Sequence, residues 1–237
     1  MTITVSTITA DEHLAFIQTL PSASFLQTPA WAKVKPDWRA ESIGWYDDQA
    51  LVGAGLVLYR QLPKLKRYLA YLPEGPQIDW SSTALDAWLA PMVEHLKGQG
   101  AFGVRMGPPV ITARWSAAQI KEGIADESVD SLTQLAPSTR NPVGAGVVAQ
   151  LSRLGWQPLD AVGGFAAGQP KYNFAIPLAD DEGQALSEDA VLKGMNQLWR
   201  RNIKKAAKLG VDVTQGGRED LAAFHDLYVL TAKRDHF

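Results

Sequence analysis

Arg201, Lys204, Lys205 and Lys208 recur at intervals of three and four residues within Trp199-Arg200-Arg201-Asn202-Ile203-Lys204-Lys205-Ala206-Ala207-Lys208-Leu209-Gly210, a spacing that gathers side chains along one side of an α-helix. Ile203, Ala206, Ala207 and Gly210 recur on another side, so the same helix offers one face to a core and another to an anion. Arginine holds phosphate through paired hydrogen bonds, and a lysine one turn away adds field without demanding geometry. The chain carries a formal net charge of -2 over 237 residues. The positive charge is therefore local, and any contact with nucleic acid is a patch and not a grip over the whole surface. Trp199 reads first as a core residue, with stacking on a base or uracil ring as its second reading. The plain alternative for the whole row is a solvated face with snorkelling lysines.

The elements that must position these residues follow from periodicity and turn chemistry. Residues 3–8 read as a strand, and Ala10-Asp11-Glu12 opens a helix carrying Leu14, Phe16, Ile17 and Leu20 that stops at Pro21. A short helix follows Thr28-Pro29, where proline suits the first turn. Residues 41–46, 50–62 and 67–72 are rich in β-branched and aromatic residues and are punctuated by Asp47-Asp48-Gln49 and Pro63-Lys64-Leu65-Lys66, which predicts antiparallel hairpins. Gly53 and Gly55 mark a bulge, a close backbone approach or a weak spot in the second strand. Ser81-Ser82-Thr83 is expected to cap a helix through Leu85, Trp88, Leu89, Met92, Val93 and Leu96 to Gly98, followed by a buried strand at 101–106 that ends at Gly107-Pro108-Pro109. Strand, helix and strand in succession predict an α/β fold with a mixed sheet. Residues 124–146 read as a mobile insertion or loop, before a short helix through Val147, Val148, Leu151 and Leu154. The hinge is expected from Gly163-Gly164-Phe165 to Gln169-Pro170. Beyond it come a strand at 171–178, the basic helix, a strand at 211–214 and a last helix from Glu219 that buries Leu221, Phe224, Tyr228 and Thr231.

Ser24-Phe25-Leu26-Gln27-Thr28-Pro29-Ala30-Trp31-Ala32-Lys33-Val34-Lys35 and Tyr71-Leu72-Pro73-Glu74-Gly75-Pro76-Gln77-Ile78-Asp79-Trp80 resemble the opening of the Fem-type (FemABX) aminoacyltransferases. Residues 198–211, with Thr231-Ala232-Lys233-Arg234-Asp235-His236-Phe237, resemble a later part of the same family in the same order. The resemblance implies transfer of an amino acid from aminoacyl-tRNA to the stem peptide of a UDP-linked or lipid-linked peptidoglycan precursor, building a cell-wall cross-bridge. It implies a first GNAT-like acyltransferase domain over residues 1–165 and the start of an incomplete second one over 166–237, so a truncated chain is expected. It also implies that Lys35, or Lys33 in a shifted register, contacts the precursor phosphates. Arg201 would make a second anionic contact with Lys204 and Lys205 one turn on, and Tyr71 with Glu74-Gly75-Pro76 would shape the cleft floor. Family members often carry an aspartate just before the proline that ends the 101–106 strand. Gly107 stands there, which leaves the general base absent or supplied by Asp79 or Glu74. An ester on tRNA is already activated, so positioning supplies much of the acceleration without a protein nucleophile. No cofactor is expected.

With 46% hydrophobic and 20% charged residues, the chain has material for one large or two small cores. No apolar run approaches the roughly 20 residues that cross a bilayer. Met1-Thr2-Ile3-Thr4-Val5 has neither a basic start nor an apolar block. A cytoplasmic location is expected, with the basic segment 60–67 offering peripheral contact to the inner face of an anionic membrane. The absence of cysteine removes disulfides and thiolate chemistry. His13, His95, His225 and His236 show no metal-ligand spacing, so no metal is expected. Gly144-Ala145-Gly146-Val147-Val148-Ala149 fits G-x-G-x-x-A but lacks the preceding strand that a dinucleotide site requires. The same string is similar to the pyrophosphate loop of coenzyme A-dependent acetyltransferases, except that Asn141 stands where Arg or Gln is expected. A coenzyme A-dependent N-acyltransferase and a non-catalytic precursor-binding fragment are the competing readings.

Overall fold

A strand that pairs in parallel with its sheet neighbour needs a long crossover, and here a helix between residues 85 and 98 supplies it. The computed structural model describes residues 2–159, 170–180 and 182–236, in two units, Met1–Lys171 and Tyr172–Phe237. In the first unit β1 (Ile3–Thr7), β2 (Arg39–Asp47), β3 (Ala50–Gln61), β4 (Tyr68–Leu72) and β5 (Ala101–Met106) form one sheet in that order. Pairing is antiparallel through β4 and parallel between β4 and β5, which α2 (Leu85–Gly98) connects. This is the mixed α/β sheet expected of a GNAT-like domain.

Strand alternation separates two faces. Ile43, Trp45, Val57, Tyr59, Ala70 and Leu72 pack with Trp88, Leu89, Met92 and Leu96 of α2 in the main core. The Trp45 indole donates to the Trp88 carbonyl at 2.8 Å, which satisfies the one polar atom that residue brings into the apolar layer. The opposite face meets α1 (Ala10–Gln18) and two 3₁₀ turns, Phe25–Gln27 and Pro29–Val34. Thr9 and Glu12 cap α1 reciprocally. Gly53 and Gly55 serve close approach: Ala54 pairs with Gln77, and a Cβ at Gly53 would stand 2.9 Å from Ile78 Cγ2. A register shift lies opposite, between Trp45 and Tyr46.

Several expectations are corrected. Ser81-Ser82-Thr83 does not cap α2: its N-cap is Ala84, without a side-chain bond, and the Leu85 N–H donates instead to Gln150 Oε1 at 3.1 Å. Ser81 is drawn back to the Asp79 carboxylate. β5 is an edge strand and only Ala101 is buried in it, while Phe102 is 55% exposed. The 124–146 loop is largely hydrogen-bonded structure. β6 (Ala113–Arg114) pairs with β7 (Thr139–Arg140), α3 (Ala117–Ala125) enters the segment, and α4 (Pro142–Arg153) starts inside it. The Trp115 indole, donating to the Leu135 carbonyl at 3.0 Å, ties the segment down. The hinge expected from Gly163 to Pro170 lies, except for Pro170, outside the described residues.

In the second unit, α5 (Glu188–Gly194), α6 (Gln197–Lys208) and α7 (Leu221–Asp235) are present, but the strands expected at 171–178 and 211–214 are not. Among the described residues its only β pairing is the isolated bridge Ala179–Ala185. The side of α7 expected to be buried is exposed, with Leu221 at 60% and Phe224 at 66%.

Candidate functional site

The Ser24–Lys35 and Tyr71–Trp80 segments are held together by one buried amide. Ser24 Oγ accepts from the Leu26 N–H at 3.1 Å and opens the turn that delivers Gln27 to the interior, where it is fully buried. Its Nε2 donates to the Pro73 carbonyl at 2.6 Å, and its Oε1 accepts from the Leu56 N–H at 2.9 Å. The side chain thereby bridges β3 and the Pro73-Glu74-Gly75-Pro76 turn. A Cβ on Gly75 would lie 2.4 Å from Gln27 Cδ, so only glycine lets that turn close over the amide. Gln27 is the positioning residue that the quoted motif contained without a role. Its only sequence signal is a two-sided hydrogen-bonding group placed beside a turn.

Beyond the latch, Lys35 ends the Pro29–Val34 turn, exposed, with Nζ 5.9 Å from the Trp31 ring centroid. Its carbonyl accepts from the Trp38 N–H at 3.0 Å, and the Trp38 ring packs against Tyr71 with centroids 6.4 Å apart. Lys35 and Tyr71 are thereby connected through Trp38, by its backbone on one side and its ring on the other, while the Lys35 ammonium lies near Trp31. Lys33 is exposed within the same turn. Arg201, Lys204 and Lys205 all stand exposed on α6, which Asn196 caps through the Trp199 N–H at 2.9 Å. Trp199 is 54% exposed, which corrects its reading as a core residue; by helical spacing it falls on the side of Ile203 and Ala206, away from Arg201, Lys204 and Lys205. Lys35 and Tyr71 belong to the first unit, and the α6 cations to the second.

Of the two stand-ins for the missing aspartate, Asp79 accepts the Ser81 N–H and hydroxyl at Oδ1, and Glu74 is half-buried in the turn, where its backbone carbonyl accepts from Gln77 Nε2 at 3.2 Å. Gly107 extends the β4–β5 ladder by donating its N–H to the Leu72 carbonyl at 3.2 Å. The Gly144-to-Ala149 string is helical. β7 does precede it, contrary to expectation, but as a two-residue antiparallel strand. Asn141 Oδ1 takes the Val143 and Gly144 N–H groups that a pyrophosphate would need.

Two buried titratable clusters serve the fold. Burial pushes the Glu41 carboxyl upward, but hydrogen bonds from Thr7, Tyr59 and His95 outweigh that and hold it below its ordinary value. The Tyr59 hydroxyl donates to Glu41 Oε2 at 2.6 Å, and burial with that carboxylate raises the phenol. Both side chains project to the α2 side of the sheet, opposite to Tyr71. On the Tyr71 side, His13 Nδ1 sits 2.8 Å from Ser42 Oγ, and burial pushes the imidazole down to about 4.

This geometry can be set against known proteins. The model of the FemAB family matches residues 8–237. The chain belongs to the FemAB family. This FemAB chain is 26% identical over 235 residues to the lipid II:glycine glycyltransferase of Staphylococcus aureus strain MRSA252, a match covering 97% of this chain and 48% of that protein. The same figures hold for the protein of that name from strain USA300. Among solved structures, the crystal structure of FemX matches 98% of the FemAB chain and 50% of its own, at 25% identity and a TM-score of 0.66. The chain spans about half the length of the curated relatives it matches.

Proposed function

We propose that the chain is an aminoacyltransferase of peptidoglycan cross-bridge synthesis, or the part of one that holds the precursor. It would transfer an amino acid from aminoacyl-tRNA to the stem peptide of a lipid-linked or UDP-linked acceptor. The observation that carries this reading is the FemAB match, which runs from residue 8 to residue 237 and takes in Lys35, Tyr71 and the α6 cations together. Glycine, named in the staphylococcal relatives, is the first donor to test. The two units are read as one GNAT-like domain and the start of another.

The stem-peptide amine attacks the ester carbonyl, the new amide forms as the ester bond breaks, and the tRNA 3′ oxygen leaves with the proton that the amine gives up. Lys35 of the first unit and Arg201 of the second each offer a cation to precursor phosphate, a hold that brings the amine over the face of the ester carbonyl, which is the kind of gain that positioning alone can supply. Lys204 and Lys205 add field, and exposed Trp199 offers a stacking face for a base. The segment between β3 and β4 supports a peripheral contact with an anionic membrane. Leu65, 58% exposed, projects between Lys64 and Lys66, with Arg60 and Arg67 alongside. Among the described residues no helix is long and apolar enough to cross a membrane.

Incubating the chain with glycyl-tRNA and a short-chain lipid II analogue should add glycine to the stem peptide, seen by mass spectrometry. Precursor binding without transfer to any acceptor would leave the binding-fragment reading. Tight acetyl-coenzyme A binding with no precursor binding would replace both, although the Asn141 cap disfavours that outcome.

A further inference from the structure

Two short stretches with the same pattern, Lys33-Val34-Lys35 and Lys64-Leu65-Lys66, lie about thirty positions apart in the sequence and at one end of the first sheet in the structure. Arg39, the first residue of β2, pairs with Tyr59 of β3, and Gln61, the last of β3, pairs with Tyr68, the first of β4. The segment before β2 and the tip between β3 and β4 therefore leave the sheet at the same end. They also touch: the Arg60 guanidinium lies 5.7 Å from the Trp38 ring centroid, and the Trp38 N–H donates to the Lys35 carbonyl. Over residues 33–38 and 60–67 the cations are Lys33, Lys35, Arg60, Lys64, Lys66 and Arg67, all exposed, and the one carboxylate is that of Asp37. The far end of the same two strands carries Asp47 and Asp48 in the turn that joins them, so β2 and β3 run between a cationic end and an anionic one.

In each stretch an aliphatic side chain stands in solvent with a lysine on either side. Val34 ends the Pro29–Val34 turn at 56% exposure. Leu65 belongs to a bonded turn: its N–H donates to the Leu62 carbonyl at 3.3 Å, its carbonyl accepts from Gln61 Nε2 at 3.1 Å, and the Leu62 N–H donates to the Arg67 carbonyl at 2.9 Å. Lys64 takes a left-handed backbone, φ 67°, which glycine would adopt at less cost. A nucleic acid would use the cations and leave the aliphatic tips in water, since bases stack on rings and Trp31 and Trp38 are half-buried. An anionic lipid surface uses both, because its headgroups meet the ammonium groups while its acyl boundary takes the apolar tips.

We propose that this end of the first unit is a two-pronged anchor for an anionic bilayer. Val34 and Leu65 enter the acyl boundary, and Lys33, Arg60, Lys64, Lys66 and Arg67 meet lipid phosphates. The inference rests on the peripheral contact proposed for the β3–β4 segment and adds to it a second prong and a direction. β2 and β3 rise from the membrane, with Asp47 and Asp48 held away from it.

Sedimentation of the full chain with phosphatidylcholine vesicles, with and without phosphatidylglycerol, tests the anchor. Binding should need the anionic lipid and fall as salt rises. Lys64→Glu and Lys66→Glu should each weaken it by about fivefold or more. Leu65→Ser and Val34→Ser should each weaken it several-fold at unchanged charge, and Lys121→Glu on α3 should matter less than any of these. Thermal melts of each variant separate lost docking from lost folding. Because the chain has no cysteine, Val34→Cys, Leu65→Cys and Asp48→Cys can each carry one polarity-sensitive fluorophore. On anionic vesicles emission should shift to the blue from positions 34 and 65 and stay unchanged from 48. No vesicle binding by the unaltered chain, full binding by Leu65→Ser and Lys64→Glu, or a blue shift at 48 without one at 34 and 65 would overturn the anchor. Binding lost in Lys204→Glu/Lys205→Glu but kept in Lys64→Glu/Lys66→Glu would move the contact to α6 and overturn it as well. Transfer to a water-soluble acceptor by a chain that ignores vesicles would overturn the anchor while leaving the proposed function standing. Docking through both prongs, without transfer from any donor, would do the reverse.

Discussion

His13 shows how a single buried side chain sets a pH limit on the fold. Its imidazole, lowered by burial from about 6.5 to about 4, binds a proton more readily in the unfolded chain than in the folded one. Stability is therefore fully present above pH 6.5 and is lost as pH falls from 6.5 to 4, by an amount on the order of 3 kcal/mol. Urea midpoints measured across that window should fall with acid in the unaltered protein and flatten in His13→Gln, which retains a partner for Ser42. The Glu41 carboxyl, held low by its hydrogen bonds, contributes stability that is present above the ordinary carboxylate range and lost at more acid pH. Gln27 sets a different kind of limit. Gln27→Leu leaves the Leu56 N–H and the Pro73 carbonyl buried without their partner, a loss of about 2–4 kcal/mol. The melting temperature should drop, and anion binding at Lys35 should weaken further than destabilisation alone explains, because the turn carrying Lys35 loses its anchor.

At the scale of elements, α6 and α4 make opposite points. The α6 cations are exposed, so under the proposed function their contribution to tRNA binding is electrostatic. Replacing Lys204 or Lys205 by alanine should each reduce the slope of log affinity for tRNA against log salt by about one, as filter binding over a salt series would show. An unchanged slope would assign that cation to plain solvation. In α4, Gly144 passes against the backbone of 111–112, where an added Cβ would stand 2.3 Å from the Ile111 oxygen. Gly144→Ala should destabilise the first unit by about 1–3 kcal/mol through overpacking, despite the better helix propensity of alanine. The glycine that resembled a phosphate loop is there for packing. Local signals placed α1, the Pro29–Val34 turn, the three hairpin strands and α6 close to where they lie, because proline, turn residues and apolar period act over a few neighbours. The start of α4 and the cap of α2 escaped because Asn141 caps within a segment that looked like loop, and Gln150 reaches Leu85 from 65 residues away.

At the scale of the molecule, Lys35 of the first unit and Arg201 of the second are each proposed to meet precursor phosphate, and whether they meet the same one is a question of energetic coupling. A double-mutant cycle measures this directly. If both charges grip the same diphosphate, the combined loss of precursor affinity in Lys35→Ala/Arg201→Ala should depart from the sum of the single losses by more than about 0.5 kcal/mol. Strict additivity would separate the two sites. The exposed apolar residues of α7, expected to face a core, show why an amphipathic pattern indicates that a side will be buried without naming its partner.

The amino-acid sequence by itself determined the three hairpin strands and the local positive charge of α6, which are written in turn residues and spacing along the chain, and it carried the FemABX resemblance in ordered motif segments. Only the tertiary structure decided that Gln27 joins two distant segments, that Trp38 links Lys35 to Tyr71, and that Arg60 lies over the Trp38 ring. Those contacts join residues tens of positions apart, and a hydrogen bond or ring contact between such residues leaves no trace in the sequence around either one.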